Sequence, residues 1–76
     1  MKYELIREMQ FYRSDKSIVT LKAGSTYPVA TRNQIPPAMI YGQKRFEQRK
    51  KCRSVILFAE GQLRYFVIGK DVVIKL

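Results

Sequence analysis

Six of the ten residues from 44 to 53 are lysine or arginine, and they are the side chains in this sequence best suited to chemistry with an anion: Lys44, Arg45, Arg49, Lys50, Lys51 and Arg53. Glu47 is the only acid among the ten, so the segment carries +5 of the chain's net charge of +9. Such a concentration of cations favours a polyanionic or strongly acidic partner.

Two aromatic residues accompany the cations, Phe46 within the segment and Tyr41 just before it. Lysine and arginine neutralise phosphates and release counterions, while an aromatic ring stacks on a base. The leading hypothesis is therefore a small accessory or regulatory module that binds DNA or RNA, with phosphate contacts from residues 44–53 and stacking by Tyr41 or Phe46. Specificity would come from shape or from a partner.

Two other interpretations of the basic segment remain open. The cations can dock on an acidic surface of a host or partner protein and block or retune it, a role that suits the compact basic proteins common in phages and mobile elements. The second is nonspecific charge, either a solvated face that only aids solubility or attraction to a membrane surface. The sequence does not decide among these interpretations, and it leaves the oligomeric state open.

Helical spacing adds an expectation about the segment. If residues 43–53 were helical, the charges would ring the helix rather than line one face. The other cations are scattered, and we expect them to be ordinary surface residues: Arg7, Arg13, Lys16, Lys22 and Arg32. The other aromatics are predicted to be mostly core, although exposed rings would make a stacking platform: Tyr3, Phe11, Tyr12, Tyr27, Tyr65 and Phe66.

Catalysis and metal binding find little support in the residue types. One cysteine, Cys52, and no histidine do not build a tetrahedral zinc site, and a Cys52 nucleophile would lack a histidine base. The sequence contains no glycine-rich phosphate loop, catalytic triad or carboxylate dyad. We therefore predict that the protein is not an enzyme and that it uses no metal, cofactor or small-molecule substrate.

Length and composition limit the kind of fold that can position these residues. The 76 residues, 46% of them hydrophobic, suffice for one small domain with a real core. A single cysteine excludes an intramolecular disulfide, and no stretch approaches the roughly 18–20 apolar residues of a membrane span. The N-terminus lacks an apolar signal core, so a cytoplasmic protein is expected.

About six short strands are predicted, over residues 3–12, 17–22, 26–31, 55–59, 63–68 and 72–76. Pro28 predicts that the third strand is an edge or is bulged, since proline removes a ladder donor. Glu60-Gly61 predicts a hairpin turn between the fourth and fifth strands. In the fifth strand the face carrying Leu63, Tyr65 and Val67 resembles a core face, and both faces are apolar enough for a central strand of a closed sheet.

The remaining segments are the linker and the basic excursion. Residues 33–37 include two adjacent prolines and predict a stiff, extended linker. Residues 43–53 are predicted to be a short exposed helix, a basic loop or protruding strand ends. The fold class expected is mostly β, either a small half-open barrel of SH3-like or OB-like kind or a strongly bent antiparallel sheet.

Overall fold

The computed structural model describes all 76 residues, which form seven short strands, one 3₁₀ turn and one α-helix. The strands are β1 (Lys2–Leu5), β2 (Met9–Tyr12), β3 (Ile18–Leu21), β4 (Thr26–Pro28), β5 (Ser54–Ala59), β6 (Gln62–Val67) and β7 (Val72–Lys75), with the 3₁₀ turn at Arg32–Gln34 and helix α1 at Pro37–Lys50. The strands make three small antiparallel sheets, ordered β4-β1-β7, β2-β3 and β5-β6, and none closes into a barrel. The mostly β prediction is confirmed.

The single strand predicted over residues 3–12 is in fact two strands. β1 pairs with β4 and β7, whereas β2 pairs only with β3. The break begins after Leu5 and includes Ile6, whose N–H donates to the Asp71 carbonyl, and Arg7, whose side chain also bonds Asp71. At these residues the chain leaves one sheet for another.

Pro28 lies in an edge strand, as its missing donor predicts. Across the β1–β4 pair, the Leu5 N–H bonds to the Ser25 carbonyl and the Val29 N–H bonds to the Met1 carbonyl. Pro28, opposite Lys2, is therefore at one of the non-bonded positions that alternate with these. Its nitrogen therefore faces away from β1, and proline costs this ladder no hydrogen bond. Beyond Pro28 the chain makes one isolated bridge, from Val29 to Leu57 of β5.

The hairpin predicted around Glu60-Gly61 is confirmed. β5 and β6 pair from Ser54–Val67 to Ala59–Gln62, and both turn residues have positive φ, 52° and 76°. Two consecutive residues with positive φ are typical of the two-residue turns whose twist matches that of the strands.

The core face of β6 is the one opposite to the prediction. Phe66 is fully buried, while Leu63, Tyr65 and Val67 are half-buried. Both faces of β6 are covered because the core lies on one side and α1 on the other, and β6 is not a central strand of a closed sheet. The core itself consists of six buried apolar residues drawn from five strands: Leu5, Leu21, Leu57, Ala59, Phe66 and Val72.

Of the three structures considered for residues 43–53, the helix is the one observed, over residues 43–50; it begins earlier, at Pro37, and residues 51–53 lie beyond its end. The extended linker predicted over residues 33–37 is observed only at Ile35 and Pro36, because Arg32–Gln34 forms the 3₁₀ turn and Pro37 takes the first helical position, where proline is well tolerated. The helix runs through Gly42 and ends at Lys50, and its C-cap, Lys51, adopts the left-handed conformation with φ 52°. No helix of this structure has the length and apolar character that a membrane span requires.

Candidate functional site

One face of α1 is docked on the β5–β6 hairpin, largely through polar groups. The side-chain amide of Gln43 donates to the carbonyl and hydroxyl oxygens of Ser54, both at 3.2 Å. The Glu47 carboxylate accepts hydrogen bonds from the Ser54 N–H (2.6 Å) and hydroxyl (2.9 Å). The only acid within residues 44–53 is therefore turned towards the sheet.

An aromatic stack completes the docked face. The rings of Phe46 and Tyr65 are stacked, with centroids 5.4 Å apart and planes 27° from parallel. The Tyr65 hydroxyl donates to the Met39 carbonyl at 2.7 Å. Gly42 allows this approach, since a Cβ there would lie 2.6 Å from the Tyr65 oxygen. Phe46, one of the two candidate base-stacking rings, thus stacks on a ring of the protein itself, from a strand distant in sequence.

The opposite face of α1 is exposed and basic. It carries Tyr41, which is 75% exposed, and four polar or charged residues, Lys44, Arg45, Gln48 and Arg49. We call these five residues the basic helix face. Because Gln43, Phe46 and Glu47 fill the docked side, the expectation that the charges ring the helix is wrong for Lys44, Arg45 and Arg49. Arg45, Gln48 and Arg49 also line a shallow surface pocket of about 370 Å³.

The last three predicted cations follow the helix end. Lys50 closes α1, Lys51 is its C-cap, and Arg53 precedes β5. All three are exposed, but Arg53 lines a different groove, of about 370 Å³, together with Tyr3, Ile68, Gly69, Val73 and Ile74. The structure thus gathers Lys44, Arg45 and Arg49 with Tyr41, and it places Arg53 beside the edge of β7.

No ion pair compensates the cations of residues 44–53. The protein contains two ion pairs, Arg7–Asp71 at 2.7 Å and Lys75–Glu4 at 3.3 Å, and neither involves this segment. The carboxylate of Glu47 is engaged by Ser54. The positive potential over the basic helix face is consequently available to an anionic partner.

A cleft between α1 and the strands adjoins this face. It is lined by five apolar or aromatic residues and one arginine: Phe11, Met39, Phe46, Leu63, Tyr65 and Arg64. Its volume is about 290 Å³, and we call it the aromatic cleft. The Arg64 guanidinium carbon lies 4.0 Å from the centre of the Phe11 ring, and burial lowers the pKa of Arg64.

Arg64 is not among the site residues that the sequence predicts, and neither is a cleft of this kind. The signal available was a cation inside an otherwise apolar strand, next to Tyr65. Of the other candidates for a stacking platform, Tyr12 is exposed, Tyr3 and Tyr27 are half-buried against the core, and Phe66 is buried.

The remaining candidates occupy ordinary positions. Arg7 bonds Asp71, and the other scattered cations, Arg13, Lys16, Lys22 and Arg32, are exposed. Cys52 is a half-buried free thiol whose N–H caps the helix by bonding to the Glu47 carbonyl. No three or more histidine, cysteine, aspartate or glutamate side chains are grouped so as to hold a metal ion.

No protein-family model, curated protein or solved structure significantly matches this chain. Its function must therefore be inferred from the arrangement of its own side chains.

Proposed function

We propose that this protein is a binding module, not an enzyme, and that it binds nucleic acid through the basic helix face. The observation that carries the proposal is the division of α1 into two faces. The helix turns its one carboxylate towards Ser54 and leaves Lys44, Arg45 and Arg49 exposed without an ion pair. Cations held in this way on a rigid element are suited to phosphate contacts.

The exposed ring of Tyr41 supplies the second component of the proposed interface. Tyr41 and Arg49 are eight residues apart, which on a helix is about 12 Å, so the face matches a short stretch of backbone. Bases next to the contacted phosphates would stack on Tyr41, since stacking on an aromatic ring tolerates any base. Lys50 and Lys51 extend the charge beyond the helix end.

We also propose that the three sheets represent a strongly bent relative of the small half-open barrels of SH3-like or OB-like kind. Two observations support this: the Val29–Leu57 bridge links β4 to β5, and one core is shared by strands of all three sheets.

Salt dependence of binding tests the phosphate contacts. Affinity for a fluorescein-labelled single-stranded oligothymidylate is measured by anisotropy between 50 and 300 mM NaCl. With about four to six phosphates of the single strand contacted, log affinity should fall against log salt with a slope of about −3 to −4. Replacing Lys44, Arg45 and Arg49 together by glutamine should flatten that slope by about two units.

A matched control separates a site from bulk charge. Arg13, Lys22 and Lys70 are exposed cations outside the basic helix face, and replacing all three by glutamine changes the net charge by the same amount. The control variant should bind nearly as the parent does. A parent slope near zero, or equal losses in the two triple variants, would contradict the proposal.

A specific observation also favours the alternative, an acidic protein partner. In the β1–β7 pair, the Ile6 N–H bonds to the Asp71 carbonyl, and bonded and non-bonded positions alternate along such a pair. By the register of the two strands, Ile74 is at a non-bonded position, so its backbone N–H and C=O point away from β1, on the open side of β7. The groove beside this edge is apolar except for Arg53. An extended segment with alternating apolar and acidic residues would add as a strand there and pair with Arg53.

The alternative is tested with a defined peptide of alternating valine and glutamate. In the alternative, the peptide binds in the micromolar range, Arg53→Glu abolishes binding, and oligonucleotides do not compete. Absence of peptide binding to the parent protein would remove this alternative.

A further inference from the structure

We propose that Glu47 is a built-in competitor of the anionic ligand and that Ser54 holds its carboxylate away from the basic helix face. Ser54 is then a positioning residue of the site, which acts through Glu47 and does not touch the ligand. This inference rests on the proposed function, because it concerns what keeps the cations of α1 free for a bound strand.

Glu47 is the acid best placed to occupy these cations instead of a ligand. It is the only carboxylate within residues 44–53. Lys44 and Lys50 are each three residues from it along α1, and side chains three apart are neighbours on a helix surface. Opposite charges at this spacing attract one another, yet neither of the two ion pairs in the protein involves Glu47. Its carboxylate is held elsewhere.

The backbone of Ser54 faces α1 because of its position in the β5–β6 pair. The Ile68 N–H donates to the Arg53 carbonyl at 2.9 Å, so Arg53 and Ile68 are at a bonded position. Ser54, opposite Val67, is at the next position, which is non-bonded. Its N–H and C=O consequently point away from β6, and two side chains of α1 supply their partners.

Ser54 uses each of its polar groups to bind the helix. Its N–H and hydroxyl both donate to Glu47 Oε2, at 2.6 and 2.9 Å. Its carbonyl and hydroxyl oxygens both accept from the Gln43 side-chain amide, at 3.2 Å. The hydroxyl is thus a donor and an acceptor at once. Hydrogen bonds to a carboxylate are charge-assisted and strong, whereas an exposed contact to lysine contributes little, so Glu47 stays on Ser54.

Loss of the Ser54 hydroxyl would return the charge of Glu47 to the exposed side of the helix. Glu47 is half-buried, and a carboxylate in that position is unfavourable without its hydrogen-bond donors. Turning towards Lys44 or Lys50 gives it water and a cation in their place. A phosphate would then have to displace the carboxylate from Lys44, and the closer negative charge would weaken the other phosphate contacts.

Valine and threonine at position 54 form a matched pair, because they have nearly the same shape, differ in the hydroxyl and both suit a strand. Anisotropy measures the affinity of Ser54→Val and Ser54→Thr for single-stranded oligothymidylate, with Glu47 present and with Glu47→Gln. With Glu47 present, Ser54→Val should bind about 3-fold more weakly than Ser54→Thr, because of the closer negative charge. With Glu47→Gln, the two should bind equally. Ser54→Ala repeats the test without added bulk beside the helix, and its loss of affinity should likewise require Glu47.

A second measurement follows the carboxylate itself and needs no nucleic acid. The amide proton of residue 54 donates to Glu47 at 2.6 Å, and a charge-assisted hydrogen bond of this length moves its NMR resonance downfield. Glu47→Gln should therefore move this resonance upfield in the parent protein and in Ser54→Thr. In Ser54→Val, where the carboxylate has already left, Glu47→Gln should leave the resonance in place.

The outcomes separate this inference from the proposed function. If the oligonucleotide binds with the expected salt slope but Ser54→Val and Ser54→Thr bind alike, Glu47 is not a competitor and the phosphate-binding function stands. If Ser54→Val binds more weakly by the same factor with and without Glu47→Gln, Ser54 has only a structural role and the inference is overturned. If the parent protein does not bind, the proposed function fails and the inference fails with it. A difference that depends on Glu47, together with the amide shift, establishes the competitor.

Discussion

Asp71 is the one buried charged residue, with 5% of its surface exposed, and it joins three segments of the chain. Its Oδ1 accepts a hydrogen bond from Arg7 Nε at 2.9 Å, and its Oδ2 accepts one from the Val67 N–H at 2.9 Å. The Asp71 backbone carbonyl also accepts from the Ile6 N–H. One side chain therefore fixes the bend between β1 and β2 against the turn between β6 and β7.

Replacing this residue should be costly. Asp71→Ala leaves the Val67 N–H without its partner and should lower the free energy of unfolding by about 2–3 kcal/mol, measured by urea denaturation. The control is Asp15→Ala, which removes an exposed carboxylate that bonds only within its own turn, to Ser17. A similar small loss in both variants would show that Asp71 does not hold the three segments together.

At the scale of the element, α1 is anchored by specific partners and not by an apolar stripe. None of its 14 residues is buried, and its contacts to the hairpin come from Gln43, Phe46 and Glu47 together with the Met39 carbonyl. A helix held in this way keeps its orientation only while those partners are present. The exposed cations are positioned by the same contacts.

Gly42 and Tyr65 provide a test of this anchoring. Gly42→Ala should destabilise the protein, because its Cβ would meet the Tyr65 hydroxyl and disturb the bond to Met39. In a Tyr65→Phe background the hydroxyl is absent, and the same change should stabilise by about 0.5–1 kcal/mol through the higher helix propensity of alanine.

The change of sign is read from a double-mutant cycle of thermal or urea unfolding. If Gly42→Ala has the same effect in both backgrounds, the close approach of Tyr65 to the helix does not constrain position 42. Tyr65→Phe alone serves as the reference for the loss of the hydroxyl bond.

For the whole molecule, net charge is the dominant feature. Fifteen cations face six carboxylates, and of those six Glu4, Asp15, Glu47 and Asp71 already have hydrogen-bond or ion-pair partners within the fold. The excess of +9 repels itself in the folded state, and a bound anion relieves that repulsion.

This charge predicts a dependence of stability on salt. The midpoint of thermal unfolding, measured by calorimetry, should rise as NaCl increases from 10 to 150 mM, by about 4–8 °C for each kcal/mol of repulsion screened. In the variant with Lys44, Arg45 and Arg49 replaced by glutamine, the thermal midpoint should be higher at low salt and should rise less as salt increases. A midpoint that falls over this range would contradict the account.

Several features could be predicted from the sequence because they depend on neighbouring residues. Glu60-Gly61 determines the β5–β6 turn through its positive φ angles, and Pro28 confines β4 to an edge. The density of cations in residues 44–53 is likewise a property of the sequence itself. Local propensity and composition suffice for such features.

Other features were decided by the tertiary structure. Which face of α1 points outward depends on Ser54 and Tyr65, and an apolar periodicity gives no sign of polar anchors such as Gln43 and Glu47. The aromatic cleft requires β2 and β6, distant in sequence, to place Phe11 beneath Arg64. The sequence by itself determined that the protein is mostly β and carries a concentrated positive charge. Only the fold decided which side chains share a surface, because that depends on contacts between residues far apart in the chain.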